Sequence, residues 1–224
     1  MDIRLPFDRD GCKFAGVVAA IAIAMGSIST NMGWLGFILT IGCLAFFRDP
    51  ERVHPSKDSV AISPADGIVL KISPCTPPKE LGLKGERMKI SIFMSIFNVH
   101  VNRAPVSGRV EKMLYIPGRF FNVTLDKANE YNERRITVMR MADDVQVAFV
   151  QIAGLLARRI RCDVEEGQEL EIGQRIGIIR FGSRVDIYLP IDAIVLVEEG
   201  QITVAGETIL ADLKKKAKKR EEQK

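Results

Sequence analysis

SPADGIV at residues 63–69 and APVSGRV at residues 104–110 are two copies of one short pattern. In each copy, proline fixes φ ahead of a turn, glycine permits a positive φ within the turn, and apolar residues follow. The pattern therefore predicts two tight turns, each leading into a β-strand. Glycines at residues 166–170 and 173–177 predict further tight turns.

Short strand-like runs surround both copies of the pattern, and Gly, Pro, Asn or Asp bounds most of them. We expect strands at residues 60–62, 67–72, 88–93, 108–116, 135–140, 145–152, 175–181 and 184–189. The two ranges that look helical in this region are 155–161 and 209–220. The domain is therefore predicted to be mainly β, a compact barrel- or sandwich-hybrid-like fold that resembles lipoyl-type domains.

An apolar block precedes this domain, because residues 14–47 contain no Asp, Glu, Lys or Arg. A polar, turn-prone stretch at residues 27–33 divides the block, which predicts an N-terminal helical hairpin. Each apolar run is shorter than the roughly 20 residues that cross a bilayer. Monotopic insertion and a thin two-pass hairpin therefore both remain open.

Basic residues flank the block at both ends: Arg4, Arg9, Lys13, Arg48 and Arg52. Positive charge at both ends predicts that both lie on the cytoplasmic side. We expect a membrane-associating hairpin over residues 1–53, at the cytoplasmic face of the inner cell membrane. A helical pair buried within the protein is the alternative.

The overall composition limits the class of protein. Of the 224 residues, 47% are hydrophobic and 27% charged, which excludes a disordered chain. The net charge is +4, and the basic residues are mostly interleaved with acidic ones, which argues against nucleic acid as a partner. The four cysteines form no CxxC pair, so neither a disulfide framework nor a metal site is expected.

We expect a β-rich domain over residues 54–210. A basic tail follows over residues 211–224, and it is either solvated or held near anionic lipid.

Two positions in the β-rich region have chemical potential. His100 lies among apolar and polar residues in FNVHVNRAP at residues 97–105, where it could orient a proton or be a buried structural histidine. The other histidine, His54, precedes Pro55 and is interpreted as a solvated linker residue. Gly182 and Ser183 lie between two strand-like runs, where an unhindered glycine carbonyl precedes a hydroxyl. This arrangement permits attack by serine on the preceding peptide bond.

Five motifs together resemble the short form of the phosphatidylserine decarboxylase proenzyme family: FRDPER at 47–52, SPADG at 63–67, NVHVNR at 98–103, NER at 132–134 and FGS at 181–183. The resemblance extends from the apolar block to about residue 189. It implies pyruvoyl-dependent decarboxylation of phosphatidylserine to phosphatidylethanolamine in phospholipid biosynthesis. The same chemistry on archaetidylserine, which has the same headgroup, stays open.

The resemblance also implies self-cleavage after Gly182. Ser183 would attack the Gly182 carbonyl, and the chain would separate into residues 1–182 and 183–224, a heterodimer of its own fragments. Ser183 would become the pyruvoyl cofactor, which acts as an electron sink without a metal. His100 would take the Ser183 proton, and Asp66 would hold the imidazole in the useful tautomer. A homo-oligomer is also compatible with the sequence.

The resemblance leaves open which group handles the decarboxylation step and which residues bind the substrate. Longer family members carry a second histidine three residues before the one that matches His100, and this chain has Phe97 there. The group that handles the decarboxylation step is therefore not identified. Arg103 is the candidate for binding the lipid phosphate or the serine carboxylate, because a planar guanidinium suits such oxygens. A surface ion pair is its alternative role.

Two further expectations concern the whole chain. A membrane-anchored, lipoyl-like adaptor is the non-enzymatic alternative, although neither repeated turn contains the lysine that a carrier would need. Every candidate catalytic residue lies beyond Pro55. We therefore expect the hairpin to contribute location alone, so that deleting residues 1–47 leaves self-cleavage largely intact.

Overall fold

The computed structural model describes residues 6–57, 59–119, 121, 123, 131–154, 160–180 and 182–213. Helices α1 (Arg9–Gly26) and α2 (Thr30–Phe46) come first. The strands are β1 (Val60–Ile62), β2 (Gly67–Cys75), β3 (Arg87–Met94), β4 (Val101–Arg103), β5 (Gly108–Ile116), β6 (Arg134–Arg140), β7 (Gln146–Ala153), β8 (Ile160–Cys162), β9 (Glu169–Leu170), β10 (Arg175–Ile179), β11 (Ser183–Pro190), β12 (Ile194–Val195), β13 (Ile202–Thr203) and β14 (Ile209–Asp212). A 3-10 turn at Lys79–Leu81 separates β2 from β3.

The strands form one large sheet and two small ones within the described ranges. The large sheet has the order β13-β2-β3-β11-β7-β6-β5-β9 and curls into a half-barrel. The small sheets have the orders β1-β14-β12 and β4-β10-β8. Strand β11 lies at the centre, paired antiparallel with both β3 and β7, and its residues are buried almost throughout. The mainly β prediction is confirmed, and every predicted strand overlaps an observed one.

The two repeated turns occupy equivalent positions in the large sheet. Gly67 opens β2 and Gly108 opens β5. A Cβ added at Gly67 would collide with the backbone carbonyl of Phe93, and one added at Gly108 with that of Arg140. Glycine is therefore required at both strand starts because the neighbouring strand approaches too closely for a side chain.

The apolar block forms the predicted helical hairpin. Asp8 caps α1 by accepting a hydrogen bond from the Asp10 backbone N–H at 3.0 Å. The helices approach closely where Gly36 faces Ala22, since a Cβ at Gly36 would collide with the Ala22 side chain. No helix in the described ranges is long and apolar enough to cross a membrane. Membrane association itself stays a prediction.

Two helix predictions need correction. Residues 209–212, predicted as helix, form β14, because Leu210 and Ala211 are buried in the core and the backbone pairs with β1 and β12. Residues 160–161, also predicted as helix, begin β8 and pair with β10. Residue 213 is described and lies in neither a helix nor a strand, whereas residues 155–159 and 214–220 lie outside the described residues, as does most of the predicted tail.

Candidate active site

Ser183 is the first residue of the central strand β11. It pairs with Met94 on β3 and with Ala153 on β7, and it is fully buried. Its hydroxyl donates to the Met94 sulfur at 3.2 Å. A thioether is a weak hydrogen-bond acceptor. The Ser183 hydroxyl can therefore leave Met94 for a stronger acceptor at little energetic cost.

The peptide bond before Ser183 is held in an unusual geometry. Gly182 has a φ of +53°, in the left-handed region that favours glycine. Its carbonyl lies directly against Gly154, which follows the end of β7. A Cβ added at Gly154 would collide with the Gly182 carbonyl oxygen and would lie 2.9 Å from the Gly182 carbonyl carbon. Two glycines together therefore determine where the carbonyl next to Ser183 lies.

His100 is fully buried just before β4. Its Nδ1 lies 2.9 Å from the carbonyl oxygen of Asn98. Because a carbonyl only accepts, Nδ1 carries the hydrogen and Nε2 carries the lone pair. Nε2 is buried and has no hydrogen-bond partner among the described residues. Burial lowers the pKa of His100 to about 4, opposed by the Asn98 bond and assisted by the charge of Arg48. The imidazole is therefore neutral at pH 7 and able to accept a proton.

Asp66 is not hydrogen-bonded to His100, contrary to the expected pairing. One carboxylate oxygen accepts from the Ala205 backbone N–H at 2.7 Å, and the other accepts from Arg52 Nη2 at 3.0 Å. Ser107 is the equivalent residue of the second repeat, and its hydroxyl likewise accepts from a backbone N–H, that of Ile172 at 3.0 Å. The Asn98 carbonyl, rather than Asp66, therefore fixes the His100 tautomer. A catalytic role for Asp66 stays a prediction.

Arg103 is buried, and its guanidinium faces oxygens of the protein itself. It donates to the Gly173 carbonyl at 3.1 Å, to the Pro50 carbonyl at 2.9 Å and to Asp49 at 3.2 Å. These contacts fasten the segment that follows α2 to the β domain. Phosphate binding by Arg103 stays a prediction, and it would require the loss of these contacts.

Two positions singled out from the sequence lie at the surface. Phe97, which stands where longer family members have a histidine, is 80% exposed. His54 is also exposed, as expected of a linker residue. Both side chains face solvent, whereas Ser183 is fully buried.

A buried amide pair lies behind Met94 and was not expected. Gln151 donates to the Asn102 side-chain oxygen at 2.8 Å, and Asn102 in turn donates to the Met94 sulfur at 3.7 Å. Both amides are fully buried. Gln151 is the polar member of the apolar run at residues 147–153, which is the signal by which the sequence could have indicated it. The pair holds Met94 in place against Ser183.

The residues after Ser183 are anchored on the other face of the sheet. Arg184 is buried, donates to the Val123 carbonyl at 2.9 Å, and forms an ion pair with Asp186 at 2.8 Å. Burial raises the pKa of Asp186, with the charge of Arg184 opposing it. Since neighbouring residues on a strand face opposite sides, this ion pair holds the backbone of Ser183 from behind.

The chain is similar in sequence to a known protein family over most of its length. A sequence model described as phosphatidylserine decarboxylase matches residues 39–211, which is most of the chain. The phosphatidylserine decarboxylase proenzyme of Paramagnetospirillum magneticum is 52% identical over 93% of this chain and 87% of its own length. Those of Cereibacter sphaeroides and Rickettsia rickettsii are each 50% identical over 93% of this chain and 90% of theirs.

These relatives are, by name, decarboxylases made as proenzymes. This chain belongs to the phosphatidylserine decarboxylase family. Membership agrees with the resemblance that the five sequence motifs indicated.

Proposed function

We propose that this protein decarboxylates phosphatidylserine to phosphatidylethanolamine after cleaving itself between Gly182 and Ser183. The observation that carries the proposal is the geometry of this bond in a chain half identical to decarboxylase proenzymes. A buried serine hydroxyl lies one residue after a carbonyl that two glycines hold in place. A carrier or adaptor has no need of this arrangement.

Self-cleavage proceeds in three steps. The Ser183 oxygen bonds to the Gly182 carbonyl carbon while its proton passes to His100 Nε2; the C–N bond then breaks, the nitrogen takes the proton, and an ester remains. Loss of the Ser183 Cα proton breaks the Cβ–O bond, and residues 1–182 leave with a terminal carboxylate. Water hydrolyses the resulting dehydroalanine, releases ammonia and leaves a pyruvoyl group at the start of residues 183–224.

The surroundings of residue 183 suit such a group. The pyruvoyl group supplies an electron sink for the electron pair that carbon dioxide leaves behind. Arg184, fixed by Val123 and Asp186, holds the new chain end, and the buried side chain of Met94 packs beside it. His100 Nε2 is the group that would hold or return a proton at the substrate α-carbon.

The two fragments would remain together after cleavage. Residues 183–213 contribute β11 to β14, and β11 is hydrogen-bonded to β3 and β7 of the larger fragment along most of its length. Val185, Ile187 and Leu189 are fully buried in the core. Separation would expose this core to water, so the mature enzyme is a heterodimer of its own fragments.

The hairpin is suited to bring the enzyme to its lipid substrate at the cytoplasmic face of the inner membrane. It exposes large apolar side chains at Ile23, Ile28, Trp34 and Ile38, each more than 60% exposed. Such an exposed apolar set is typical of a surface that meets another molecule or a membrane. Shallow insertion of these side chains agrees with the short helices.

Purified protein tests the function directly. Intact mass measurement should show fragments of residues 1–182 and 183–224, the second with a blocked N-terminus. Phosphatidylserine labelled at the serine carboxyl, in detergent micelles, should release labelled carbon dioxide, and phenylhydrazine, which reacts with ketones, should stop the release. A single 224-residue chain that releases none would refute the proposal and favour the adaptor.

Self-cleavage should be nearly independent of pH from 8 down to 5. The neutral imidazole is the proton acceptor, and burial lowers the pKa of His100 to about 4, so protonation removes the acceptor only near that pH. The test synthesises the proenzyme in a cell-free system and follows the rate of fragment formation on a denaturing gel across pH 3.5–8. A half-maximal rate near pH 6.5, the value for an exposed histidine, would contradict this assignment.

Asp66→Ala should slow self-cleavage and lower the free energy of unfolding by about 1 kcal/mol, because the Ala205 N–H loses its acceptor. Asp66→Ser should restore cleavage to within a few-fold of wild type, since the equivalent residue Ser107 accepts a hydrogen bond from a backbone N–H with its hydroxyl. Gel assays of cleavage and thermal unfolding of both variants provide the measurement. If Asp66→Ser is as slow as Asp66→Ala, the negative charge rather than the turn matters.

A further inference from the structure

The end of helix α2 packs directly on His100. The ring of Phe46 lies 4.3 Å from the imidazole, centroid to centroid, with 34° between the planes. Phe46 is only 8% exposed, and Phe47 beside it is buried. Together with Val99, Val101 and Ile178 they form a separate hydrophobic cluster. The last turn of the hairpin is therefore part of the packed core around His100.

Helix α1 holds the segment that leads to the scissile bond. Asp10 accepts a hydrogen bond from Arg180 Nη2 at 2.7 Å, and the Arg180 guanidinium lies 5.1 Å from the centre of the Phe14 ring. Arg180 is two residues before Gly182. Phe14 also stacks on Phe47, with ring centroids 5.6 Å apart. The packed helix pair thus contacts both His100 and the segment that leads to Gly182.

Further charged contacts fasten the base of the hairpin to the β domain. Arg161 on β8 donates to Asp10 at 2.6 Å and forms an ion pair with Asp8. Arg48, just past α2, donates to the Phe97 carbonyl at 2.7 Å, in the loop that leads to His100. The Asp8, Asp10 and Arg161 side chains are mostly buried, which makes such pairs costly to break. The hairpin is therefore not a freely attached anchor.

We propose that the helical hairpin is a working part of the self-cleavage site, in which Phe46 positions His100 and Asp10 positions the chain ahead of Gly182. The inference rests on the proposed self-cleavage. The Asn98 bond orients one edge of the imidazole, and the Phe46 ring fixes its plane and keeps water from it. The expectation that the hairpin contributes location alone is thereby replaced, because deleting residues 1–47 removes both contacts.

Substitutions at Phe46 test the proposal without removing the hairpin. Phe46→Ala should slow self-cleavage about tenfold or more, because a small misplacement of a reacting group has effects of this size. It should also move the half-maximal pH upward from about 4 towards 6.5, because water reaches the imidazole. The charge of Arg48 also lowers the pKa of His100. Phe46→Ala leaves Arg48 unchanged, so this contribution stays constant. Phe37 lies on the same helix and is 55% exposed, so Phe37→Ala should cleave like wild type.

Two more variants complete the test. Phe46→Leu fills most of the space without a flat ring, so it should fold and still show a slower rate and a raised half-maximal pH. Arg180→Gln, which loses the Asp10 pair, should slow cleavage, whereas Arg140→Gln, which loses a surface pair with Glu111, should not. Wild-type rates and pH profiles for Phe46→Leu and Arg180→Gln would overturn this inference while leaving self-cleavage intact. Failure of the wild-type chain to cleave would instead refute the proposed function.

Discussion

Replacing Ser183 with alanine should leave the 224-residue chain intact and abolish decarboxylation. The methyl group has no lone pair to attack the Gly182 carbonyl, and without cleavage no pyruvoyl group forms at residue 183. The fold should persist, because the change removes one oxygen whose hydrogen bond goes to the weak acceptor Met94. We expect a stability change within about 1 kcal/mol. A denaturing gel, carbon dioxide release and thermal unfolding together provide the measurement.

Ser183→Cys is the matched control for this variant. It keeps a nucleophile of similar size at the same strand position, so it should form some cleaved product where alanine forms none. Fragments of wild-type mass from the alanine variant would show that another group attacks the chain. Decarboxylation by an uncleaved alanine variant would show that the reaction does not require the group made from Ser183.

Gly154→Ala should block self-cleavage almost as completely, although residue 154 supplies no chemical group. Its new Cβ would lie inside 3.0 Å of the Gly182 carbonyl oxygen, so the carbonyl must move away. Displacement of a reacting atom by about 1 Å costs on the order of a hundredfold in rate. Fragment formation over hours should therefore fall by about this factor, while circular dichroism shows the β fold retained.

Hydroxylamine identifies the step that Gly154→Ala affects. It cleaves esters, so it would release fragments if the variant stopped after the attack by Ser183, and none if the attack itself fails. We expect none. Gly42→Ala is the control, because a Cβ there meets nothing within 4 Å, and it should cleave like wild type. Wild-type cleavage by Gly154→Ala would mean that the Gly182 carbonyl does not react from its observed position.

Most strands of three or more residues could be predicted from sequence because their signals are local. β5 (Gly108–Ile116) and β1 (Val60–Ile62) have the predicted bounds, since turn glycines and apolar runs lie within the strand or next to it. The two-residue strands β9, β12 and β13 carry no pattern of their own. β14 pairs with β1, about 150 residues earlier, so its hydrogen bonds are invisible in a local window. A lysine-rich continuation made that segment look helical.

The sequence by itself placed the proposed reacting pair and the proposed base in recognisable motifs. Gly182, Ser183 and His100 stand in short motifs, and the resemblance that these motifs carry agrees with the family assignment. The repeated turns and the hairpin could likewise be read from patterns of neighbouring residues. What these features share is that the chemistry lies in residues adjacent along the chain.

Only the tertiary structure decided which groups touch Gly182, Ser183 and His100. Asn98, rather than Asp66, lies at His100 Nδ1, because the chain before β4 folds back and brings a carbonyl two residues away within 2.9 Å. Gly154 meets Gly182 because β7 pairs with β11, and Phe46 meets His100 because the hairpin docks on the β domain. Contacts between distant segments depend on how whole sheets and helices pack, and no local pattern encodes them.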